Sequence, residues 1–166
     1  MFINFIKIGG ISMIYENLMK ELISQENELQ FTSFSNKDAV KIGMFLYQRA
    51  IDEEKAITID ITRNGQQLFH VSLPNTSADN DSWILRKNKI VNRFQMSSYR
   101  MGTILKASNT TLEEKFNLSS IEYAPHGGAF PIIIKNTGVI GTITVSGLTQ
   151  AEDHEMVIDA IKNFLK

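Results

Sequence analysis

The stretch AITIDITRNGQQLFHVSL, residues 56–73, decides the fold because its two β-rich runs are separated by only two residues. Those two residues, Asn64 and Gly65, form the dipeptide that a type I′ hairpin turn prefers. A two-residue turn predicts a hairpin with these cross-strand pairs on one face: Ile61 with Leu68, Ile59 with His70 and Ile57 with Ser72. Both faces carry apolar residues, so we expect helices or another subunit to cover each face.

The chain on the N-terminal side of the hairpin has helical periodicity. Apolar residues recur at helical spacing from Met13 to about Gln30, which predicts a first helix. The segment FTSF is a candidate short strand, and Ser35 or Asn36 is a suitable cap for a second helix. The apolar positions of that second helix form one stripe, Val40, Met44 (or Gly43), Tyr47 and Ile51.

The chain on the C-terminal side of the hairpin predicts further helices and a second strand pair. A helical stretch, as one helix or two, runs from about Ala78 to Ala107, and residues 109–120 form a polar connection with one helical turn. AFPIII and VIGTITVSG pair as strands around KNTG. Thr149 and Glu152 have capping-box spacing before a last helix with these apolar positions: Met156, Val157, Ala160, Ile161 and Phe164. This order predicts an α+β domain with an antiparallel sheet.

Composition limits the class of protein. A chain of 166 residues suits one domain with its own core. There is no cysteine, which excludes disulfides and thiolate metal sites and fits a reducing cytosol. The longest apolar runs are too short for a bilayer span, and the N-terminus lacks the ordered features of a signal peptide. We therefore expect a cytoplasmic protein with no membrane segment.

The first twelve residues, MFINFIKIGGIS, read poorly as the start of a helix because a Gly-Gly pair interrupts them. Glycine codons of the form GGA-GGN shortly before a methionine look like a bacterial ribosome-binding site translated by mistake. We therefore expect residues 1–12 to be a mis-assigned extension, Met13 to be the true start, and residues 13–166 to form the domain.

The net charge of −1 conceals a strong asymmetry along the chain. Between Asp81 and Glu113 there are basic residues and no acidic ones: Arg86, Lys87, Lys89, Arg93, Arg100 and Lys106. On one continuous helix the seven-residue spacing of the three arginines would build an anion-binding ridge. A solvated helix face, or a face paired with the acidic part of a neighbouring subunit, has the same pattern. Nucleic acid is disfavoured because the pI is about 6.3.

Two glycine-containing loops are candidate binding sites. In PHGGAFPI, residues 125–132, Gly127 and Gly128 follow His126, and glycine lets a ligand or another backbone approach closely. A tight structural turn is the alternative. Ser146 and Gly147 end a strand before the last helix, whose first amides suit a carboxylate or phosphate. His154, between two acids in that helix, is a candidate base or ligand, or else a surface histidine.

Two other side chains are interpreted as packing residues. His70 lies in a predicted strand beside Ile59, which is typical of a core or interface histidine. Trp83 shares a helix side with Lys87, Ile90 and Phe94, and core or interface packing is favoured for it over ligand stacking. No Ser-His-Asp order, P-loop, dinucleotide fingerprint or HExxH zinc spacing is present, so the sequence predicts no metal site.

Four blocks together, ITIDITRNGQQLFH, DSWILRKNKIVNRFQMSSYRMG, PHGGAFPI and GVIGTITVSGLTQAEDHEMV, resemble the haem-degrading-domain family, GlcG/HbpS-like. More closely, they resemble its uncharacterised branch marked by a W-x-x-R-K helix. The resemblance runs from about Met13 to the C-terminus and implies a profilin-like layered domain with about five antiparallel strands. It also implies homo-oligomers, and links to haem, to glycolate metabolism or to adaptor function among relatives.

Together these features predict an oligomeric cytosolic protein with a pocket for an anionic small ligand, for which haem is one candidate. The residues expected to bind the ligand are His126, Gly127, Gly128, Ser146, Gly147, His154, Arg86 and Arg93. His126 or His154 would act as an axial ligand or as an acid or base. The alternative hypothesis is an adaptor or scaffold without catalysis, and the sequence leaves open whether the protein is an enzyme.

Overall fold

The computed structural model describes residues 11–166, which contain six helices and four strands. The elements in chain order are α1 (Ile11–Glu28), α2 (Asn36–Asp52), β1 (Thr58–Arg63), β2 (Gln66–Ser72), α3 (Ala78–Phe94), α4 (Ser98–Ala107), α5 (Leu112–Phe116), β3 (Ala129–Ile134), β4 (Gly138–Ser146) and α6 (Gln150–Leu165). Most of the predicted N-terminal extension, residues 1–10, lies outside the described range. No helix within that range is both long and apolar enough to cross a membrane.

The four strands form one antiparallel sheet in the order β2-β1-β4-β3, with helices on both sides. This confirms the α+β class, but the expected number of about five strands is wrong. The segment FTSF contributes a single bridge instead of a strand. The amide of Phe31 donates to the carbonyl of Ile133, and the amide of Lys135 donates to the carbonyl of Phe31. One bridge residue covers part of the β3 edge without extending the sheet.

The β1–β2 hairpin exists as predicted. Its predicted register holds only beside the turn, up to the pair of Thr62 with Gln67, and is wrong from Ile61 back to the start of β1. An irregularity between Ile61 and Thr62 leaves one extra residue in β2, so Ile61 pairs with Phe69 and Asp60 pairs with His70. A one-residue shift moves every later side chain to the opposite face. Phe69 therefore turns toward α2, and His70 turns toward α3.

The two faces of the sheet are buried in different ways. The face beneath α2 and α6 carries the large apolar core, which includes Ile59, Ile61, Ile143 and Val145. The face beneath α3 holds buried polar side chains joined in one network. Asn88 of α3 donates to Asp60 over 3.2 Å and accepts from Thr144 over 2.5 Å. Because these buried polar side chains keep their hydrogen bonds, β1 and β4 can carry polar residues although they lie at the centre of the sheet.

Two predicted helical features differ in the structure. Gln95 adopts a left-handed conformation that ends α3, and Ser97 caps a separate α4. Arg100 therefore lies on another helix than Arg86 and Arg93, so the continuous arginine ridge does not form. In α2 the predicted stripe residues Val40, Met44 and Ile51 face outward, and Tyr47 is half-buried. The alternative Gly43 belongs to the side that packs on the core, together with Ala39, Ile42, Leu46 and Ala50.

Gly102 lets α4 pack directly against the loop that carries His126. A methyl carbon at Gly102 would lie 2.1 Å from the carbonyl oxygen of Pro125. In an unconstrained helix, alanine is more favourable than glycine by about 1 kcal/mol. Here we expect Gly102→Ala to lower the free energy of unfolding by roughly 1–3 kcal/mol in urea denaturation, because the backbone must shift.

The control for this variant is Lys106→Ala, on the exposed side of the same helix. Its free energy of unfolding should remain within about 0.5 kcal/mol of wild type. A Gly102→Ala protein as stable as wild type would contradict the close approach of α4 to Pro125.

Candidate functional site: a cleft between two glycine loops

The Gly-Gly loop lies directly against the junction of β4 and α6. A Cβ at Gly127 would be 2.0 Å from the carbonyl oxygen of Gln150, and one at Gly128 would be 2.3 Å from that of Val145. The amide of Val145 donates to the carbonyl of Gly128 over 3.0 Å. Glycine at these two positions is what permits the contact, because any side chain would separate the two segments.

A cleft of about 260 Å³ opens beside this contact. Three segments supply its walls, namely the first turns of α3, the Gly-Gly loop and the start of α6. Its lining residues are Asp79, Asn80, Trp83, Lys87, His126, Gly127, Ser146, Gly147, Leu148, Gln150 and Asp153. Of the residues predicted to bind a ligand, His126, Gly127, Ser146 and Gly147 line the cleft, and Gly128 lies beside Lys87 behind its wall.

A buried ion pair forms the floor of the cleft. Lys87 is 3% exposed and Asp153 is 2% exposed. The ammonium donates to the Asp153 carboxylate over 2.9 Å and to the carbonyl of Val145 over 3.1 Å. Burial lowers the pKa of Lys87, and the nearby Asp153 carboxylate opposes that shift. Burial raises the pKa of Asp153, against the influence of Lys87 and of the Leu148 amide. The pair joins α3, β4 and α6 at one point.

Aromatic side chains form the mouth of the cleft. The Trp83 ring meets the His126 ring edge to face, with centroids 5.3 Å apart, and the Trp83 indole donates to Asp79 over 3.1 Å. The guanidinium of Arg86 lies 4.1 Å from the Trp83 ring centroid. Partial burial, and then the positive charges of Lys87, Lys106 and Arg86, lower the pKa of His126. The lowered pKa favours the neutral imidazole, whose unprotonated ring nitrogen can accept a hydrogen bond or coordinate a metal.

The start of α6 offers fewer free amides than expected, because the helix caps itself. The amide of Leu148 donates to Asp153 over 3.0 Å. Thr149 and Glu152 form a complete capping box, in which each side chain accepts a hydrogen bond from the other residue's amide. The amides of Leu148, Thr149 and Glu152 are therefore already used, and the prediction that they bind an anion is wrong.

His154 lies away from the cleft, although its neighbour Asp153 lies inside it. The His154 ring is buried between Tyr99 and Phe130 and makes a 2.7 Å hydrogen bond with Gln25 of α1. Burial lowers its pKa to about 4, and the alternative expectation of a surface histidine is wrong. Successive residues of a helix point in directions about 100° apart, so these two neighbours face different layers.

The predicted arginines also lie outside the cleft lining. Arg86 reaches the cleft only through its stacking on Trp83, and its guanidinium donates to the carbonyl of Ser120 over 3.4 Å. Arg93 lies 6.0 Å from the ring of Tyr123, and Arg100 pairs with Glu26 over 2.6 Å. Within residues 11–166, no group of three or more histidine or carboxylate side chains could hold a metal ion.

The predicted residue set omitted the ion pair that forms the floor. Lys87 and Asp153 are 66 positions apart, and no spacing rule connects them. The signal available was the W-x-x-R-K pattern, because Trp83, Arg86 and Lys87 all converge on this cleft. Gln150 was also omitted, and its side-chain oxygen is buried without a hydrogen-bond partner in the described part of the chain.

We expect Lys87→Met to lower the free energy of unfolding by about 3–5 kcal/mol near neutral pH, because Asp153 stays buried without its cation. Loss of the ammonium also raises the pKa of Asp153 further. A carboxyl with a higher pKa in the folded state than in the unfolded chain stabilises the fold at low pH and loses that contribution as pH rises. The loss should therefore be smaller at about pH 5 than at about pH 8, as measured by urea denaturation.

The matched control is Lys89→Met, two positions along the same helix. Lys89 is exposed and lies 3.7 Å from the Glu122 carboxylate at the surface. Its replacement should change the free energy of unfolding by less than about 0.5 kcal/mol at either pH. Equal losses for Lys87→Met at both pH values would show that Asp153 does not govern the stability of the cleft.

The fold has counterparts in known proteins. A UPF0303 protein of Streptomyces coelicolor is 46% identical over 145 residues, which cover 87% of this chain and 92% of that protein. The crystal structure of the Ybr137w protein is similar, with a TM-score of 0.83, 34% identity and coverage of 92% of each chain. A PduOC:heme complex, at 14% identity, shares the fold with a TM-score of 0.65 and coverage of 78% of this chain and 94% of that one. Residues 34–162 match the family described as haem degrading protein HbpS-like, and the chain belongs to that family.

Proposed function

We propose that the chain is a small-ligand-binding protein of the haem-degrading-domain type, and that it binds haem or another anionic molecule in the cleft. The observation that carries this proposal is the placement of Trp83 and His126 at the mouth above the Lys87–Asp153 pair. This arrangement combines a flat aromatic surface and an imidazole, and Arg86 and Lys106 add positive charge nearby. The family match and the heme complex of a similar fold support haem as the candidate.

The charges around the cleft favour an anion on the His126 side. Lys87 and Asp153 largely neutralise each other, and the Asp79 carboxylate accepts from the Trp83 indole. Lys106 and Arg86 both act on His126 as positive charges. A carboxylate placed beside His126 would therefore meet cations, whereas one placed beside Asp79 would be repelled.

The size of the cleft limits how a ligand enters it. A volume of about 260 Å³ is just below the range of about 300–1,000 Å³ that is common for drug-sized ligands. A small carboxylic acid would fit entirely. Haem would place one acid-bearing edge inside, with its ring lying over Trp83 at the mouth, where an aromatic surface favours stacking.

His126 is the residue that would hold haem iron. Its ring is exposed at the mouth, and its lowered pKa favours the neutral imidazole that an axial ligand must be. His154 is unsuitable, because its ring is enclosed and already bonded to Gln25. When bound, haem would supply iron with a further coordination position for redox or oxygen chemistry.

Two further properties belong to the same proposal. We propose that the protein is cytosolic, which the absence of cysteine supports, and that it works as a homo-oligomer. The domain is proposed to begin at Met13. The rival function, an adaptor without a ligand, draws support from the exposed apolar side chains Leu85 and Ile121, which both line a groove beside α3.

A haemin titration tests the proposed function with an internal reporter, because Trp83 is the single tryptophan of the chain and lines the cleft. We expect haemin to quench Trp83 fluorescence to saturation and to give a sharpened absorption band. His126→Ala should lose the sharpened band. The same variant should still be quenched by metal-free protoporphyrin IX, since the ring and acid groups remain recognised without the iron ligand.

His70→Ala is the matched control, because His70 lies outside the cleft lining, between Asp60 and Asp81. It should bind haemin as wild type does. Equal spectra for wild type and His126→Ala would reject His126 as the iron ligand. Benzoate serves as the probe for a small carboxylic acid. No change in Trp83 fluorescence with haemin, protoporphyrin IX or benzoate, together with native mass spectra that show no bound ligand, would favour the adaptor function.

A further inference from the structure

The outer side of α2 carries a second apolar face that nothing covers within the described residues. Val40 is 47% exposed, Met44 is 49% exposed and Ile51 is 44% exposed, with half-buried Tyr47 between them. These residues recur at helical spacing on one side of α2, while the core contacts leave from another side. Isolated exposed apolar residues are ordinary, whereas an aligned set on one helix face is typical of an interface.

This apolar face of α2 lies on the side of the helix that is nearer to β2, the edge strand of the sheet. On one flank of α2, Gly43 touches the ring of Phe69 in β2. On the opposite flank, Arg49 pairs with Asp159 of α6 over 2.9 Å. At 100° per residue, Val40 and Tyr47 lie on the Gly43 side. The exposed surface therefore continues from α2 onto β2.

The β2 strand is itself an unprotected edge. It ends the sheet order, and no described strand pairs with its outer side. Its sequence, QQLFHVS, contains no lysine, acid or proline, which are the residues that usually discourage edge association. Phe69 and Val71 are only partly buried there. A partner that covered α2 would also cover these two side chains.

The charges along α2 identify the partner. Lys37 and Lys41 lie near the start of the helix, and Asp52 and Glu54 lie at its end. All four are exposed, and within residues 11–166 none of them forms a salt bridge. One end of the surface is positive and the other is negative, so the surface is complementary to a reversed copy of itself.

We propose that α2 is the two-fold contact of a homodimer in which two α2 helices pack antiparallel. An axis near Met44 brings Lys37 of one copy to Asp52 and Glu54 of the second copy, and brings Val40 toward Ile51. Such an interface is isologous, so each contact occurs twice. This inference is independent of the cleft, because no cleft-lining residue belongs to α2 or β2.

The size of this surface sets the expected strength. A 17-residue helix is about 25 Å long and about 10 Å wide. Even with the β2 edge added, the contact falls at the low end of specific interfaces, which average about 800 Å² per partner. The dimer should therefore dissociate on dilution, and sedimentation velocity over a range of concentrations is the suitable measurement.

A charge swap tests the contact without weakening the fold. Lys37→Glu places an acid at the helix start and Asp52→Lys places a base at the helix end, and both changes suit the helix dipole. We expect each single variant to bind a second copy about tenfold more weakly than wild type, because at least two attractive pairs of the symmetric contact become repulsive. The double variant Lys37→Glu/Asp52→Lys should recover most of the lost affinity, because the contact between positions 37 and 52 becomes attractive again while Glu54 still faces an acid.

Apolar variants supply the second arm and its control. Met44→Lys places two ammonium groups at the two-fold axis. It should make the protein monomeric or, if the protein forms a larger assembly, should remove the α2–α2 contact and lower the number of subunits. Leu85→Lys changes a side chain that is 64% exposed on α3 and should leave association unchanged. A monomeric wild type at all concentrations, a double variant that is not restored, or equal effects of Met44→Lys and Leu85→Lys would each overturn the proposal.

Discussion

The Lys87–Asp153 ion pair is the interaction on which the candidate site depends. Taking two charges out of water is costly, so a buried pair persists only where hydrogen bonds satisfy both partners. Here Lys87 also donates to Val145 and Asp153 also accepts from Leu148. The pair thereby fixes α3, the end of β4 and the start of α6 relative to one another. The cleft is the space left beside that fixed point.

Glycine makes this arrangement possible at the backbone. A Cβ at Gly128 would lie 2.6 Å from the Lys87 ammonium as well as against the Val145 carbonyl. The loop therefore needs a residue without a side chain where it passes the ion pair. This close passage places His126, two residues earlier, at the mouth of the cleft. The two glycines serve close packing, and the proposed ligand contacts belong to the neighbouring side chains His126 and Trp83.

The cleft and the outer face of α2 occupy separate parts of the molecule. The cleft is built from α3, the Gly-Gly loop and the start of α6, whereas α2 lies over the apolar face of the sheet beside β2. The proposed ligand site and the proposed self-association surface can thus be altered independently. The sheet separates them because its two faces differ, with an apolar core under α2 and α6 and the Asp60–Asn88–Thr144 network under α3.

The sequence alone determined the hairpin turn, the helix caps and the α+β class. These features depend on local chemistry or on a few diagnostic residues. Only the tertiary structure decided the register of β2, the outward direction of the α2 stripe, the burial of His154 and the partnership of Lys87 with Asp153. A bulge adds one residue without a sequence signal, and periodicity identifies a helix face without saying what it meets. Side chains far apart in the chain become neighbours only through packing, so their pairing and their pKa shifts arise from the folded environment.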